Sequence, residues 1–200
     1  MAKQKVSSKE EKTVLLVKPD GIKRGLIGDI IARIEQRGLK IIALKMLEVS
    51  KEKARGHYPG TEEWMIGMGN KTLENYETYG KDTKDEIGTD DPLEIGKMIY
   101  GWNVEYLTSG PMVAVLIKGL HAITMVRKIC GHTLPSKADM GTIRGDYSVD
   151  SPTLANEQKR AIRNIVHASG DEDEAKHEIK YWFSEKEIND YDRAEEDIMF

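Results

Sequence analysis

Four short apolar runs along the chain predict four β-strands. Each run is too short for a helix of ordinary length and is rich in valine, isoleucine or leucine. The predicted strands are Thr13–Val17, Leu39–Val49, Met112–Lys118 and Asn164–His167.

Helical periodicity separates these runs. In Gly28–Arg37 three isoleucines share one face of a helix, and Gly38 supplies its C-terminal stop. A second helix is predicted to follow Ser50, a suitable N-cap residue, and a third to cover Leu120–Cys130. A fourth is predicted to begin near Asp171, where a run of acidic residues complements the helix dipole.

The order of these elements indicates an α+β fold. Strands and helices alternate, but the spacers are too variable for a regular parallel sheet. Two β-α-β halves of this kind form a four-stranded antiparallel sheet covered by helices, the ferredoxin-like βαββαβ arrangement. We expect residues 13–200 to form a single domain, preceded by a flexible polar tail over residues 1–12.

Two connections between the predicted elements are longer than this fold requires, and both are predicted to be surface insertions. The first covers residues 59–100 and is rich in Gly, Asn, Thr and Asp, with helices expected at Glu62–Met68 and Asp91–Tyr100. The second covers residues 150–163, with a turn at Ser151-Pro152 and a helix over Asn156–Arg163.

Net charge, the lengths of apolar runs and the cysteine count limit the kinds of partner and the cellular compartment that suit this chain. A net charge of −4 and a pI near 5.8 do not suit a nucleic-acid partner. No stretch has the roughly 18–20 apolar residues of a membrane span, and residues 1–12 carry no apolar signal core. The single cysteine, Cys130, excludes an internal disulfide and lies in an apolar helical pattern that predicts burial. We therefore expect a cytoplasmic protein whose partners include neither a membrane nor a nucleic acid.

The segment from Asn164 to Ser169 carries the most specific chemistry of the chain. His167 ends an apolar strand and is followed by Ser169 and the acid-rich start of a helix. A histidine held there, with a carboxylate at its rear nitrogen, is a neutral nucleophile at physiological pH. The plainer interpretation is a polar residue at the end of a strand.

Cationic and hydroxyl side chains elsewhere suit phosphate oxygens. Lys18 directly follows the first predicted strand, and Arg127, Thr133 and Arg144 come later. Guanidinium groups bind phosphate oxygens through two parallel hydrogen bonds, and a preplaced ammonium stabilises charge on a transferred group. The chain has no glycine-rich phosphate loop, so phosphate recognition is expected to use these side chains. Together with a histidine nucleophile they indicate phosphoryl transfer.

In their order and spacing these residues resemble the nucleoside diphosphate kinase family, from about Thr13 to about Tyr191. Two stretches, GTIRGD at Gly141–Asp146 and NIVH at Asn164–His167, are specific when found together in this order. The other matching stretches are Lys18–Gly25, His57-Tyr58, Ser109–Pro111 and Trp182-Phe183.

The resemblance implies a ping-pong kinase. One ring nitrogen of His167 would take the γ-phosphate of ATP as phosphohistidine, which would then phosphorylate another nucleoside diphosphate. Glu178 would accept the hydrogen of the other ring nitrogen, and Ser169 would steady Glu178. Tyr58 corresponds to the tyrosine beside the histidine. The resemblance also implies a homo-oligomer, a hexamer or a tetramer built from dimers.

The resemblance assigns the remaining positions to the nucleotide. Lys18 would contact the terminal phosphate and a ribose hydroxyl, and Asn164 the sugar hydroxyls. An aromatic ring would stack on the base; counting back from Ser109–Pro111 places it at Tyr100, with Trp64 or Tyr76 as alternatives. The remaining phosphate ligands would be Arg127, Thr133 and Arg144.

One departure from the family pattern concerns magnesium. Where the family reads His-Gly-Ser-Asp, this chain has His-Ala-Ser-Gly at 167–170, so the aspartate that helps to place magnesium-bound water is missing or displaced to Asp171. Mg²⁺ is therefore expected to be held mainly by nucleotide phosphates and water, with no protein metal ligand.

Two functions without catalysis stay open at this point. A ferredoxin-like sheet also builds readers of single-stranded RNA, although the predicted strands lack paired aromatics and the net charge is negative. A catalytically silent nucleotide-binding module is the other alternative.

Overall fold

A four-stranded antiparallel sheet lies at the centre of the protein. The structure is a computed structural model, and it describes residues 10–194. The strands pair in the order β2-β3-β1-β4. They are β1 (Glu10–Val17), β2 (Lys40–Leu47), β3 (Met112–Leu120) and β4 (Val166–Ala168). The predicted α+β fold with a four-stranded antiparallel sheet is confirmed.

The two central strands, β1 and β3, are buried on both faces. Leu15 and Val17 pack into one helical layer, which contains α2 (Ile27–Gln36) and α7 (Ala122–Cys130). Val14 and Leu16 pack into the other, which contains α6 (Pro92–Leu107) and α10 (Glu172–Trp182). Both faces are covered over residues 14–17 and 112–117, and these stretches are continuous apolar runs that do not alternate with polar residues.

Shorter helices and one long one complete the structure. Two predicted helix starts are confirmed by their caps: Ser50 accepts a hydrogen bond from the Lys53 amide, and Asp171 accepts one from Glu174. Over residues 10–194 no helix has the length and apolarity to cross a membrane. The additional helices are α1 (Pro19–Lys23), α3 (Lys51–His57), α4 (Glu62–Thr78), α5 (Thr83–Ile87), α8 (Ile143–Tyr147) and α9 (Pro152–Glu157), with 3₁₀ turns at Pro135–Lys137 and Glu185–Glu187.

The first strand begins earlier than predicted. Glu10 forms an ion pair with Lys118 at 3.1 Å, and the Glu11 carboxylate accepts a hydrogen bond from the Ile123 amide. These partners extend the strand pairing as far as Glu10 and Leu120. The predicted flexible tail is therefore wrong for residues 10–12, and its remainder, residues 1–9, lies outside the described residues.

Three other predicted bounds need correction. Both helices predicted within residues 59–100 are longer than expected, since α4 continues to Thr78 and α6 to Leu107. The helix predicted over Asn156–Arg163 is wrong, because Ser151 caps α9 at Pro152 and the backbone turns left-handed at Lys159.

The predicted burial of Cys130 is confirmed, and burial raises the pKa of its thiol to about 11.

Helices α4 and α6 pack backbone to backbone. A Cβ added at Gly69 would lie 1.9 Å from the carbonyl oxygen of Pro92, and one at Gly96 would lie 2.0 Å from that of Met65. Only glycine allows this approach. The contact fixes α4 against the body of the protein through main-chain atoms.

Gly69→Ala is therefore expected to destabilise the protein, because the added methyl group would force the two helices apart. Overpacking of this kind typically costs about 1–3 kcal/mol. Gly67→Ala is the matched control, since a Cβ at Gly67 in the same helix meets open space. Alanine there favours the helix and should leave stability equal or higher. Thermal denaturation at equal protein concentration measures both; equal midpoints would contradict the packing.

Candidate active site

The ring of His167 is fixed from behind by a buried carboxylate. His167 lies in β4 opposite Leu16, and its Nε2 is 2.5 Å from Oε1 of Glu178 in α10. The other oxygen of Glu178 accepts a hydrogen bond of 2.6 Å from the Ser169 hydroxyl. Ser169 is itself held in place, because its oxygen accepts a hydrogen bond from the Val14 amide. The predicted contacts of Glu178 with His167 and Ser169 are present.

This arrangement selects one tautomer of His167. A carboxylate at Nε2 places the hydrogen on that nitrogen and leaves the lone pair on Nδ1. Burial, and after it the positive charge of Lys18, lowers the pKa of His167 well below its usual value. Burial also raises the pKa of Glu178, a rise that His57 and Ser169 oppose. The imidazole is thus neutral at physiological pH, with Nδ1 free to act as a nucleophile.

A second histidine, His57 at the end of α3, lies behind the same carboxylate. Its Nδ1 is 3.5 Å from Oε1 of Glu178, and its ring meets that of His167 edge-on with centroids 4.5 Å apart. Burial lowers the pKa of His57 to about 3, so this ring is neutral too. Tyr58, expected beside the nucleophile, contacts the ring of His57 with centroids 4.9 Å apart. Sequence reasoning gave His57 no role, although it lies in the matched pair His57-Tyr58.

The Lys-Pro-Asp-Gly stretch is joined directly to the residues before His167. The backbone of Ile165 is left-handed, with φ of 68°, which is unusual for a β-branched residue. It is held on both sides, since the Lys18 amide donates to its carbonyl oxygen and its own amide donates to Asp20. Gly21 makes room for it: a Cβ there would lie 3.1 Å from the Ile165 side chain. β4 therefore begins at Val166 and not at Asn164 as predicted.

This junction brings the side chains of Lys18 and Asn164 together. The Lys18 ammonium donates a hydrogen bond of 2.8 Å to the Asn164 side-chain oxygen, and the Asn164 amide donates to the Thr133 carbonyl oxygen. Both side chains are buried. Burial, and after it the nearby Arg144, lowers the pKa of Lys18 to about 8.

Arg144 has a structural role that the sequence did not reveal. Its guanidinium donates to three main-chain carbonyl oxygens, those of Gly131, Asn164 and Val166. These bonds tie the end of α7 to the start of β4. A guanidinium has five N–H donors, so two stay available for a ligand.

A cavity of about 820 Å³ lies beside these groups. This is within the roughly 300–1,000 Å³ of ordinary small-molecule sites. Among the described residues that line it, Glu74 is the one acidic side chain, whereas several are basic. The cavity therefore suits an anion. Its lining includes Lys18, Tyr58, Lys71, Arg127, Thr133, Lys137, Arg144, Arg160, Asn164 and His167.

Comparison with known proteins assigns the chain to a family. The model of the nucleoside diphosphate kinase family matches residues 11–66 and 93–188. The chain belongs to this family. A nucleoside diphosphate kinase of Pyrobaculum aerophilum is 51% identical over 178 residues, which are 89% of this chain and 97% of the relative. The enzyme of Pyrococcus abyssi is 38% identical over 189 residues, 94% of each chain.

Solved structures agree with this assignment. The crystal structure of an NDP kinase from P. aerophilum has a TM-score of 0.87 at 49% identity, covering 90% of this chain and 100% of that one. The nucleoside diphosphate kinase of Borrelia burgdorferi, solved with bound vanadate and ADP, has a TM-score of 0.76 at 34% identity, covering 95% of this chain and 96% of that one.

The match with the nucleoside diphosphate kinase family is interrupted at residues 67–92. This stretch includes most of α4 and all of α5, and it lies within the first predicted insertion. The second predicted insertion, residues 150–163, falls inside a matched segment.

The structure does not bring Tyr100 to the cavity. Its ring lies against Tyr58 and Trp64, with centroids 6.3 and 6.2 Å away, and its hydroxyl donates to the Arg55 carbonyl oxygen. Three other residues of α6 line the cavity, Ile99, Trp102 and Asn103. They share one face of the helix, which is next to the face that carries Tyr100. Neither alternative to Tyr100, Trp64 or Tyr76, lines it. Trp102 is the aromatic residue of α6 that lines the cavity.

The exposed members of the predicted phosphate set also line the cavity. Arg127 is exposed on α7, and Thr133 follows the end of that helix. Arg127 lies close to the turn that follows His167, because a Cβ at Gly170 would be 3.5 Å from its guanidinium. All six predicted nucleotide ligands except Tyr100 thus border the same space as His167.

The chemistry of the donor set fits magnesium held by the nucleotide. Asp171, the residue to which the missing magnesium aspartate was assigned, caps α10 and does not line the cavity. In residues 10–194 one group of three potential metal ligands is present, formed by His57, His167 and Glu178. Two of these are nitrogen donors, whereas Mg²⁺ prefers oxygen.

Proposed function

We propose that this member of the family transfers the γ-phosphate of ATP to nucleoside diphosphates through a phosphohistidine at His167. The carrying observation is the 2.5 Å contact between His167 Nε2 and the Glu178 carboxylate, which leaves Nδ1 unprotonated beside a cavity lined by cations. Nδ1 attacks the γ-phosphorus, the bond from that phosphorus to the bridging oxygen of ADP breaks, and ADP leaves. In the second half the phosphoryl group passes from Nδ1 to the β-phosphate of an acceptor, which regenerates neutral His167.

The cations stabilise charge on the group in transit. The phosphoryl group passes through a transition state whose charge is spread over its oxygens, so preplaced donors lower the barrier directly. Lys18 and Arg144 are held rigidly beside His167 for this purpose, and Arg127 and Thr133 bind the remaining phosphate oxygens. Asn164 positions Lys18 and offers its amide to the sugar hydroxyls. Mg²⁺, bound through the nucleotide phosphates, would neutralise part of their charge.

Intact mass spectrometry tests the proposal. Brief incubation with ATP and magnesium should add one phosphoryl group to the chain, and addition of GDP should remove it. The modified group should be acid-labile, as a phosphorus–nitrogen bond is. A chain that binds ATP but gains no mass would be a silent nucleotide-binding module, and one that binds neither would reject the function.

Lys18 gives the reaction a pH dependence. Its pKa of about 8 means that the ammonium form is present below that pH and is lost as the pH rises through it. The ratio kcat/KM reports ionisations of the free enzyme, so it is expected to fall as the pH passes about 8. Lys18→Arg, which keeps its charge, should move this fall to higher pH. Profiles of wild type and variant that coincide would contradict the assignment.

Assembly into a homo-oligomer is part of the same proposal. Strand β2 lies at one edge of the sheet and exposes Leu44 and Met46 by 51% and 56%. Large apolar side chains on an uncovered edge strand favour pairing with a second copy. Analytical ultracentrifugation distinguishes a hexamer, a tetramer and a monomer directly.

A further inference from the structure

The ammonium group of Lys18 lies over the face of an aromatic ring. Tyr106 is in the last turn of α6, and its ring centroid is 5.1 Å from Nζ of Lys18. This is within the roughly 6 Å over which the π-face of an aromatic side chain attracts a cation. Lys18 lines the cavity and Tyr106 does not, so the ring acts on a ligand there only through Lys18.

The turn at Ser109–Pro111, directly after α6, holds this ring in place. The amide and the hydroxyl of Ser109 both donate hydrogen bonds to the Tyr106 carbonyl oxygen, at 3.2 and 2.8 Å. Gly110 lies on the Lys-Pro-Asp-Gly stretch, since a Cβ there would be 3.6 Å from the Cβ of Pro19. The turn thus keeps the end of α6 beside the lysine of that stretch.

Lys18 receives little support for its charge from its other neighbours. Its nitrogen donates a hydrogen bond to the neutral side-chain oxygen of Asn164. Burial, and after it the positive charge of Arg144, lowers the pKa of Lys18, and the opposing attraction of Asp20 is smaller than either. A contact with the face of a ring stabilises a cation more in such a desolvated place than on the surface.

The ionisable groups around Lys18 belong to five elements. They are Asp20 of α1, His57 of α3, Tyr106 of α6, Arg144 of α8 and His167 of β4. Both imidazoles are neutral, because burial lowers the pKa of each well below its usual value. Among these groups, Lys18 is therefore the one whose protonation changes near pH 8.

A ring suits this position better than a carboxylate. A carboxylate would form an ion pair with Lys18 and cancel the charge that a phosphate needs. The ring is neutral, because burial, and after it the charge of Asp20, raises the pKa of the Tyr106 hydroxyl above its usual value. It attracts the ammonium without accepting a strong hydrogen bond, so N–H donors stay available to a ligand.

We propose that Tyr106 is a positioning residue of the active site, whose ring face holds Lys18 in its ammonium form beside His167. The value of this contact for catalysis rests on the proposed function, in which Lys18 stabilises charge on the transferred phosphoryl group. The contact itself is present in the protein without nucleotide and is measured there.

Nuclear magnetic resonance measures the contact directly. The signal of the Lys18 Cε atom is followed against pH in protein with isotope-labelled lysine, and its disappearance in Lys18→Arg identifies it. Two ring-free variants are used in case one folds poorly. Tyr106→Leu and Tyr106→Met should each raise the acid dissociation constant of Lys18 roughly tenfold, the scale of a desolvated cation–π contact. Tyr106→Phe keeps the ring and should titrate as the wild type does.

Tyr191→Leu is the matched control. Tyr191 lies under another buried lysine, Lys40, whose nitrogen is 5.4 Å from the ring centroid, and it does not line the cavity. The titration of Lys18 should not change in this variant. An acid dissociation constant of Lys18 that stays the same or falls in the folded ring-free variants would overturn the proposal.

Single-turnover phosphorylation of His167 separates support of the charge from a general structural effect. The wild type and Tyr106→Leu should react at similar rates at low pH, where Lys18 is protonated in both, and diverge as the pH rises. Tyr106→Phe should follow the wild type throughout. A loss of rate in Tyr106→Leu that is equal at every pH would mean that the ring only supports the fold, contrary to the proposal. If the wild type forms no phosphohistidine, the proposed function fails, and the titration of Lys18 still decides whether Tyr106 supports its charge.

Discussion

His167→Ala is expected to abolish phosphotransfer and to leave nucleotide binding largely intact. In the proposed mechanism the Nδ1 lone pair is the nucleophile. Of the two histidines that line the described cavity, His132 and His167, only His167 has a hydrogen bond to a buried carboxylate, that of Glu178. The side chains proposed to bind phosphate belong to other elements, and Lys18 and Arg144 are fixed by hydrogen bonds of their own. Their positions should survive loss of the ring.

Two measurements check this expectation. Phosphoryl incorporation from ATP should disappear in His167→Ala, whereas calorimetric titration with ADP should give an affinity close to that of the wild type. His177→Ala is the control, since His177 is exposed on α10 and stacks on Tyr181, away from the cavity. Turnover near wild type in His167→Ala would place the nucleophile elsewhere.

Local chemistry made much of the fold predictable. The central strands are apolar on both faces over most of their length, so the sequence shows them as continuous apolar runs. Ser50 and Asp171 are typical N-cap residues and indicated where the helices that they cap begin. The length of α4 was not predictable in this way. It packs on α6 through Gly69 and leaves many side chains exposed, so no strong apolar stripe marks it.

Tyr100 was predicted to stack on the base, and its position outside the cavity lining has a different physical origin. Counting residues along α6 pointed to Tyr100, but a helix turns by 3.6 residues, and the face toward the cavity carries Ile99, Trp102 and Asn103. The spacing of these three is that of one helical face, which would have indicated them once the helix was known to extend to Leu107.

Arg144, which was predicted to bind phosphate, has a structural role. Arg144 was expected to bind the nucleotide; its hydrogen bonds to the carbonyl oxygens of Gly131, Asn164 and Val166 could not be predicted from the sequence. Those partners come together only when α7 and β4 meet. One side chain of the GTIRGD stretch thus holds the backbone of the NIVH stretch.

Lys18→Gln and Arg144→Ala are each expected to slow the chemical step, by roughly a hundredfold or more, the scale for loss of one preplaced electrostatic donor. Both side chains border the cavity beside His167, and in the proposed mechanism they stabilise charge on the group being transferred. Lys128→Gln is the control for the loss of a positive charge, because Lys128 is exposed on α7 and does not line the cavity.

The two variants should differ in stability, which separates their roles. Arg144→Ala leaves the carbonyl oxygens of Gly131, Asn164 and Val166 without their donor, so its melting temperature should fall. Lys18→Gln removes a buried ammonium, which burial disfavours, and should melt near or above the wild type. Single-turnover rates in folded protein then report chemistry alone. Rates unchanged from the wild type in both variants would mean that neither cation acts on the transferred phosphoryl group, and Arg144 would be left with its structural role only.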